Sequence, residues 1–196
     1  MTLSVQNTVI NAQDIFAKKQ EQEWIDKAKA GDRQAFNHLY LESIGKVYAL
    51  CLRMLSSRDQ AEDVAQEVFV QVWLKLENFR GDAKFSTWLH AVATNTVLTH
   101  MRKQKNWLQK VFSIEDQPQA EPAGNEIQDL SDLDKLILRL PEKARVVFVL
   151  FAVEGYRHEE IATMLNMAVG SSKSHYHRAR NLLKDWLEAQ ESLNDE

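Results

Sequence analysis

The chain has 196 residues, 44% apolar and 27% charged, enough to bury the cores of one or two small domains and too short for a barrel enzyme or a long repeat array. Six glycines and three prolines are too few for the turn density of an all-β fold or a glycine-rich phosphate loop, so helices are the expectation. The single cysteine, Cys51, excludes an internal disulfide and lacks companions at metal-ligand spacing, and no apolar run reaches membrane-spanning length; a cytoplasmic chain without metal or cofactor is expected.

The net charge of −4 is spread unevenly. Residues 79–112 carry six Lys/Arg against the single acid Asp82, and residues 113–134 carry seven acids and no base. Residues 155–184 carry five Lys/Arg against Glu159 and Glu160, and the last twelve residues hold five acids and no base. Phosphate contacts dominate nucleic-acid affinity, so the two basic blocks are candidate DNA-facing surfaces. By composition alone they are equally readable as solvated helix faces.

Residues 1 to about 22 show no sustained period and read as a leader or a short first helix. From Trp24 a helical pattern sets in through Ala28, Ala35, Phe36, Leu39 and Tyr40, interrupted at Gly31-Asp32, where Asp32 is placed to cap the next helix. An apolar stripe follows through Ile44, Val47, Tyr48, Cys51, Leu52 and Leu55 and ends at Ser56-Ser57-Arg58-Asp59, with Cys51 read as a small core residue. A third helix is predicted over Ala61–Asn78, with Val64, Val68, Val72 and Leu76 inward. Its other side carries Asp63, Gln66, Glu67, Val70 and Trp73, a mixture of acids, amide and apolar groups that reads as a docking face.

After Arg80-Gly81-Asp82 a fourth helix is predicted from Ser86 to about Lys105, packing through Phe85, Trp88, Leu89, Val92 and Val97. Its remaining side chains, among them Thr94, Asn95, Thr99, Arg102 and Lys103, are mostly short and able to hydrogen-bond. Residues 113–130, SIEDQPQAEPAGNEIQDL, hold two prolines and five acids, a flexible acidic linker by composition and the expected domain boundary. Beyond it, Leu133, Leu136, Ile137 and Leu140 make one helix, and Pro141 opens another over Glu142–Glu154. Gly155 closes that helix, Glu159–Leu165 forms a short one, Asn166-Met167 a tight turn, and Val169–Trp186 a last helix with Val169, Ser172, Tyr176, Ala179 and Leu183 as its buried stripe. Two short helices across a tight turn, the second basic, form a helix-turn-helix pattern that turns Ser171, Lys173, Ser174, His175 and Arg178 toward the major groove.

Four segments in order, GDRQAFNHLY, AEDVAQEVFVQVW, FRGDAKFSTWLHAVATN and LPEKARVVFVLFAVEGYRHEEIATMLNMAVGSSKSHYHRAR, make the chain resemble the extracytoplasmic-function (ECF) group of the sigma-70 family of bacterial transcription initiation factors, from about Ala28 to Leu187. The resemblance implies an all-α chain of two small helical domains joined by a flexible acidic linker. It divides the chain into a leader (1–23), region 2 (24–106), the linker (107–130), region 4 (131–190) and a tail (191–196). It further implies that Asp63, Gln66 and Glu67, extended by Val70 and Trp73, bind the clamp helices of the largest RNA polymerase subunit, with a second contact to the flap. Arg80, Lys84, Trp88, Asn95, Thr99, Arg102 and Lys103 would hold the −10 element, and Trp88 and Asn95 suit the capture of an unstacked base, although Trp88 also shares a stripe with Phe85 and Val92. Ser171, Ser172, Lys173, Ser174, His175 and Arg178 would read the −35 element as duplex. The linker would run near the active-site and RNA-exit path of polymerase, and an anti-sigma factor is an implied partner.

The chain departs from the family pattern at several positions. Thr94 and Thr99 stand where an arginine and an aspartate are usual, Ser172 where a hydrophobic residue is, and His175 and Tyr176 where an arginine and a leucine are. Loss of a bidentate arginine removes a guanine-reading contact worth about 1–3 kcal/mol, so no −35 sequence is predicted. His175 and His177 have no cysteine or carboxylate at ligand spacing and are not expected to bind metal. No nucleophile–base elbow or phosphate loop is present, so no enzymatic activity is expected. A stand-alone helix-turn-helix regulator would use only the C-terminal helices and footprint DNA without polymerase. A helical protein-binding adaptor would tolerate charge reversal at Lys173 and Arg178.

Overall fold

A computed structural model describes residues 19–104 and 131–194, with side chains to residue 190; the expected linker over 107–130 and most of the leader lie outside the described residues. Among the described residues there are helices and no strand. We number them α1 (19–29), α2 (Arg33–Leu55), α3 (Arg58–Lys75, continued by a 3-10 turn at Leu76–Asn78), α4 (Phe85–Lys103), α5 (Asp132–Arg139), α6 (Glu142–Phe148), α7 (His158–Leu165) and α8 (Val169–Asn194). They group into two compact units, one of residues up to Ala49 with Glu62–Thr96, the other of Leu50–Ala61 with Val97 onward.

In the first unit, Gly31 takes φ +91° to end α1, and the Asp32 carboxylate accepts from the N–H groups of Gln34 (2.8 Å) and Ala35 (3.2 Å), the cap expected from sequence. The stripe Val64, Val68, Val72 and Leu76 is buried, joined by Ile25, Leu39 and Phe69. At full burial each such side chain contributes about 1.5–3 kcal/mol. The segment before α4 is pinned by an aromatic cluster: the Phe79 ring lies 5.8 Å from Phe85 and 5.3 Å from Trp88. Lys29 Nζ donates to the Phe79 carbonyl and lies 5.5 Å from its ring centroid. These contacts hold the short loop that carries Arg80 and Lys84.

In the second unit, Leu136, Leu140, Ala144, Ala179 and Leu183 form one buried cluster, flanked by Phe148, Leu182 and Trp186. The sequence pattern predicts an α-helix over Glu142–Glu154; instead α6 passes into a π-helical turn at Val149–Val153. Gly155 then takes φ +77° to redirect the chain. Glu160 accepts from the Arg157 N–H at 2.7 Å at the start of α7, and Asn166, at φ 51°, makes the left-handed turn into α8. Arg53 Nε and Asp134 Oδ1 pair at 2.7 Å, and Ser56 Oγ donates to the Leu138 carbonyl at 2.9 Å.

Candidate functional site

The first candidate surface is on α2 and α3. Burying Val64, Val68 and Val72 turns the opposite side of α3 outward, so Asp63 and Gln66 are exposed and Glu67 is half-buried. Two large apolar groups stay in water beside them, Val70 at 56% and Trp73 at 38% exposure. An apolar groove of about 570 Å³ opens there, lined by Phe36 and Tyr40 of α2 and by Gln66, Phe69, Val70 and Trp73 of α3. Edge-on ring contacts set its walls, Phe36 to Trp73 at 4.8 Å and Tyr40 to Phe69 at 4.7 Å. The α2 half of the groove was not legible in the sequence: Phe36 and Tyr40 fall on a helical stripe that reads as core, and only their half-exposure here separates them from it.

The second candidate surface is on α4. Trp88, Asn95, Thr99 and Arg102 follow one another at steps of seven, four and three residues and so share a helix face, with Lys103 exposed next to them. Trp88 is half-buried: its ring packs on Phe79 and on Phe85 (5.9 Å), and the side chain remains partly accessible. Arg80 and Lys84 are exposed in the loop before α4. Arg102 Nη2 donates to the Met164 carbonyl at 2.6 Å. Thr94, the position of a usual family arginine, is fully buried, and its hydroxyl has no hydrogen-bond partner.

The third candidate surface is α8. Ser171, Lys173, Ser174 and Arg178 are exposed and His175 is half-buried. Ser172 is a correction. Expected among the DNA-contacting residues, it is fully buried, and its Oγ lies 2.9 Å from Nδ1 of His158. It faces α7 because it belongs to the stripe that continues through Ala179 and Leu183.

Among the described residues, no group of three or more His, Cys, Asp or Glu is placed to hold a metal, and no helix is long and apolar enough to cross a membrane. Burial pushes the Cys51 thiol up to about 12, against a smaller opposing backbone hydrogen bond.

Comparison with known proteins gives the family of the chain. Residues 39–106 match the family model for sigma-70 region 2, and residues 130–183 that for sigma-70 region 4. The ECF RNA polymerase sigma factor SigW of Bacillus subtilis is 33% identical over 176 residues, covering 83% of this chain and 94% of that protein. The chain belongs to the ECF group of the sigma-70 family. The ECF sigma-E factor of Escherichia coli K12 is 31% identical to this sigma factor, covering 83% of this chain and 92% of its own length. Among solved structures, the sigma factor RpoE of Bartonella quintana, in complex with the anti-sigma factor NepR, matches with a TM-score of 0.50 and 27% identity, covering 78% of this chain and 96% of its own. As a sigma factor of this group, the chain directs core RNA polymerase to promoters for the initiation of transcription.

Proposed function

We propose that this sigma factor uses its three surfaces in a fixed division of labour. Two functional modules, residues 24–106 and 131–190, are supported by the spans of the two family models. The groove between α2 and α3 and the acid–amide face of Asp63, Gln66 and Glu67 dock on the clamp helices of the largest polymerase subunit. Val70 and Trp73 supply apolar area that becomes buried, and the acids pair with basic residues at the rim. The observation that carries this reading is the exposure of Val70 and Trp73 beside a wide apolar groove.

The α4 stripe then holds the −10 element, where the exposed part of the Trp88 ring offers an aromatic contact to an unpaired base and Arg80, Lys84, Arg102 and Lys103 engage phosphates. The exposed side of α8 enters the major groove at the −35 element, with Lys173 and Arg178 contacting phosphate or base. The chain supplies binding and positioning in the cytoplasm, and polymerase supplies the chemistry. By likeness to the sigma factor bound to NepR, an anti-sigma protein is the partner that covers these surfaces when transcription is not required.

Run-off transcription over fragmented genomic DNA of the source organism with purified core polymerase tests this. Promoter-specific transcripts should appear with the natural chain and vanish with the Gln66→Ala, Glu67→Ala double variant. Transcripts persisting at full level in that variant remove the docking assignment.

A further inference from the structure

The helix-turn-helix contains a polar contact that its apolar packing does not require. Ser172 is fully buried in the inner stripe of α8, where an unbonded hydroxyl is unfavourable. It is bonded, at 2.9 Å, to Nδ1 of His158, the first residue of α7. The bond forms with Nδ1 as acceptor from the serine O–H or as donor to Oγ, so it does not depend on one tautomer.

The imidazole is held in its turn. It stacks on Phe151 at 4.2 Å with 11° between the planes, and the Tyr176 ring meets it edge-on at 5.8 Å. Tyr176 also lies 4.5 Å from Phe151, which sits in the π-helical turn. His158 therefore grips α8 at two points one helical turn apart, Ser172 by a hydrogen bond and Tyr176 through the rings. Two attachments fix the rotation of a helix about its own axis, which a single apolar contact leaves soft. At a side-chain radius of about 5–6 Å, a rotation of roughly 10° moves a tip by about 1 Å, enough to break a base-edge hydrogen bond.

We propose that His158 is a positioning residue for promoter reading: through Ser172 and the Phe151–Tyr176 ring cluster it sets the rotation of α8, and so which bases Lys173, His175 and Arg178 meet. This rests on the assignment of α8 to the −35 element. His158 itself touches no DNA in this scheme. Its effect is on sequence preference, because phosphate contacts tolerate a shifted helix better than base-edge contacts do.

Holoenzymes reconstituted from core polymerase with natural, His158→Phe, His158→Asn, Ser172→Ala and doubly substituted His158→Phe, Ser172→Ala chains are each used to select from promoter fragments randomised over about one helical turn, ~10 bp, at the upstream element. Phenylalanine keeps the stack and loses the bond; asparagine restores a polar group near the place of Nδ1. His158→Phe and Ser172→Ala should each lower the enrichment of the naturally preferred sequences by about tenfold, as one mismatched base pair does. The double variant should lose no more than either single one, and His158→Asn, which keeps a polar partner for Ser172 but loses the ring contacts, should recover only part of the preference. Binding to unselected duplex at low salt should be unchanged in all of them. Variants that select the same sequences with the natural enrichment, or single losses that add in the double variant, or equal losses on selected and unselected duplex, overturn the proposal. A natural holoenzyme that selects no upstream sequence overturns the assignment of α8 as well.

Discussion

Arg145 Nη1 donates to the Leu140 carbonyl at 3.0 Å from a side chain that is only 1% exposed. A second, longer bond of 3.4 Å reaches the Leu138 carbonyl. Both acceptors lie at the end of α5, where the last turn of a helix leaves carbonyls without partners. Burial pulls the guanidinium down to about 10, partly offset by the charge of Glu142, so the group remains charged at neutral pH. A cation is thus buried at the α5–α6 elbow, and its Nε is left without a hydrogen bond.

Arg145→Ala should therefore destabilise the chain by about 3 kcal/mol, since it leaves a cavity and removes the side-chain donor from the Leu140 carbonyl, while the Leu138 carbonyl keeps its bond from Ser56. Arg145→Met keeps most of the volume and removes the buried charge, and should cost only about 1 kcal/mol. Urea unfolding of the full chain compares the two; equal costs would show that volume alone matters.

Cys51 is fully buried, and with its thiol pushed up to about 12 the thiolate fraction at pH 8 is roughly one in ten thousand. Alkylation in the native state should therefore be slow and should rise with urea in parallel with helix loss. Rapid labelling at zero urea would place Cys51 in a segment that opens locally.

Burial alone would raise the Asp134 carboxyl, but hydrogen bonds from Arg53 and Ser131 and the charge of Arg53 outweigh it and hold it below the usual carboxylate value. A carboxylate lowered in the folded state contributes stability above its unfolded pKa of about 4 and loses it as pH falls through the folded value. The stability difference between the natural chain and Asp134→Asn should hold from pH 5 to 7 and close below about pH 4. Thermal unfolding at a series of pH values measures it, and a difference independent of pH would remove the ionic contribution.

Val70→Lys should reduce binding to core polymerase by at least about tenfold, because it puts a charge where apolar area is to be covered. At 56% exposure Val70 contributes little to folding, so the melting temperature should stay within about a degree. Native gel titration with core polymerase reads the first quantity, and undiminished binding would move the docking surface elsewhere.

Much of this molecule is written in one-dimensional patterns. The four-residue steps of Val64, Val68, Val72 and Leu76 place a helix and its buried face, and by exclusion they turn Asp63, Gln66, Val70 and Trp73 outward. The Asp32 cap and the turn at Asn166 are local side-chain and backbone chemistry, which a few neighbouring residues determine. The resemblance to the family is carried by the residues of four segments in their order along the chain.

Tertiary structure alone decided the pairings. Periodicity assigns Ser172 to an inner stripe but does not say that His158, fourteen residues earlier, meets its hydroxyl. Nor does it turn Phe36 and Tyr40 from core residues into the wall of a groove opposite Trp73, or bury Arg145 against the end of the helix before it. A repeat in the chain specifies which side of a helix avoids water. Which atoms then meet depends on the distance and rotation between helices, and those follow from packing side-chain volumes that no single segment contains.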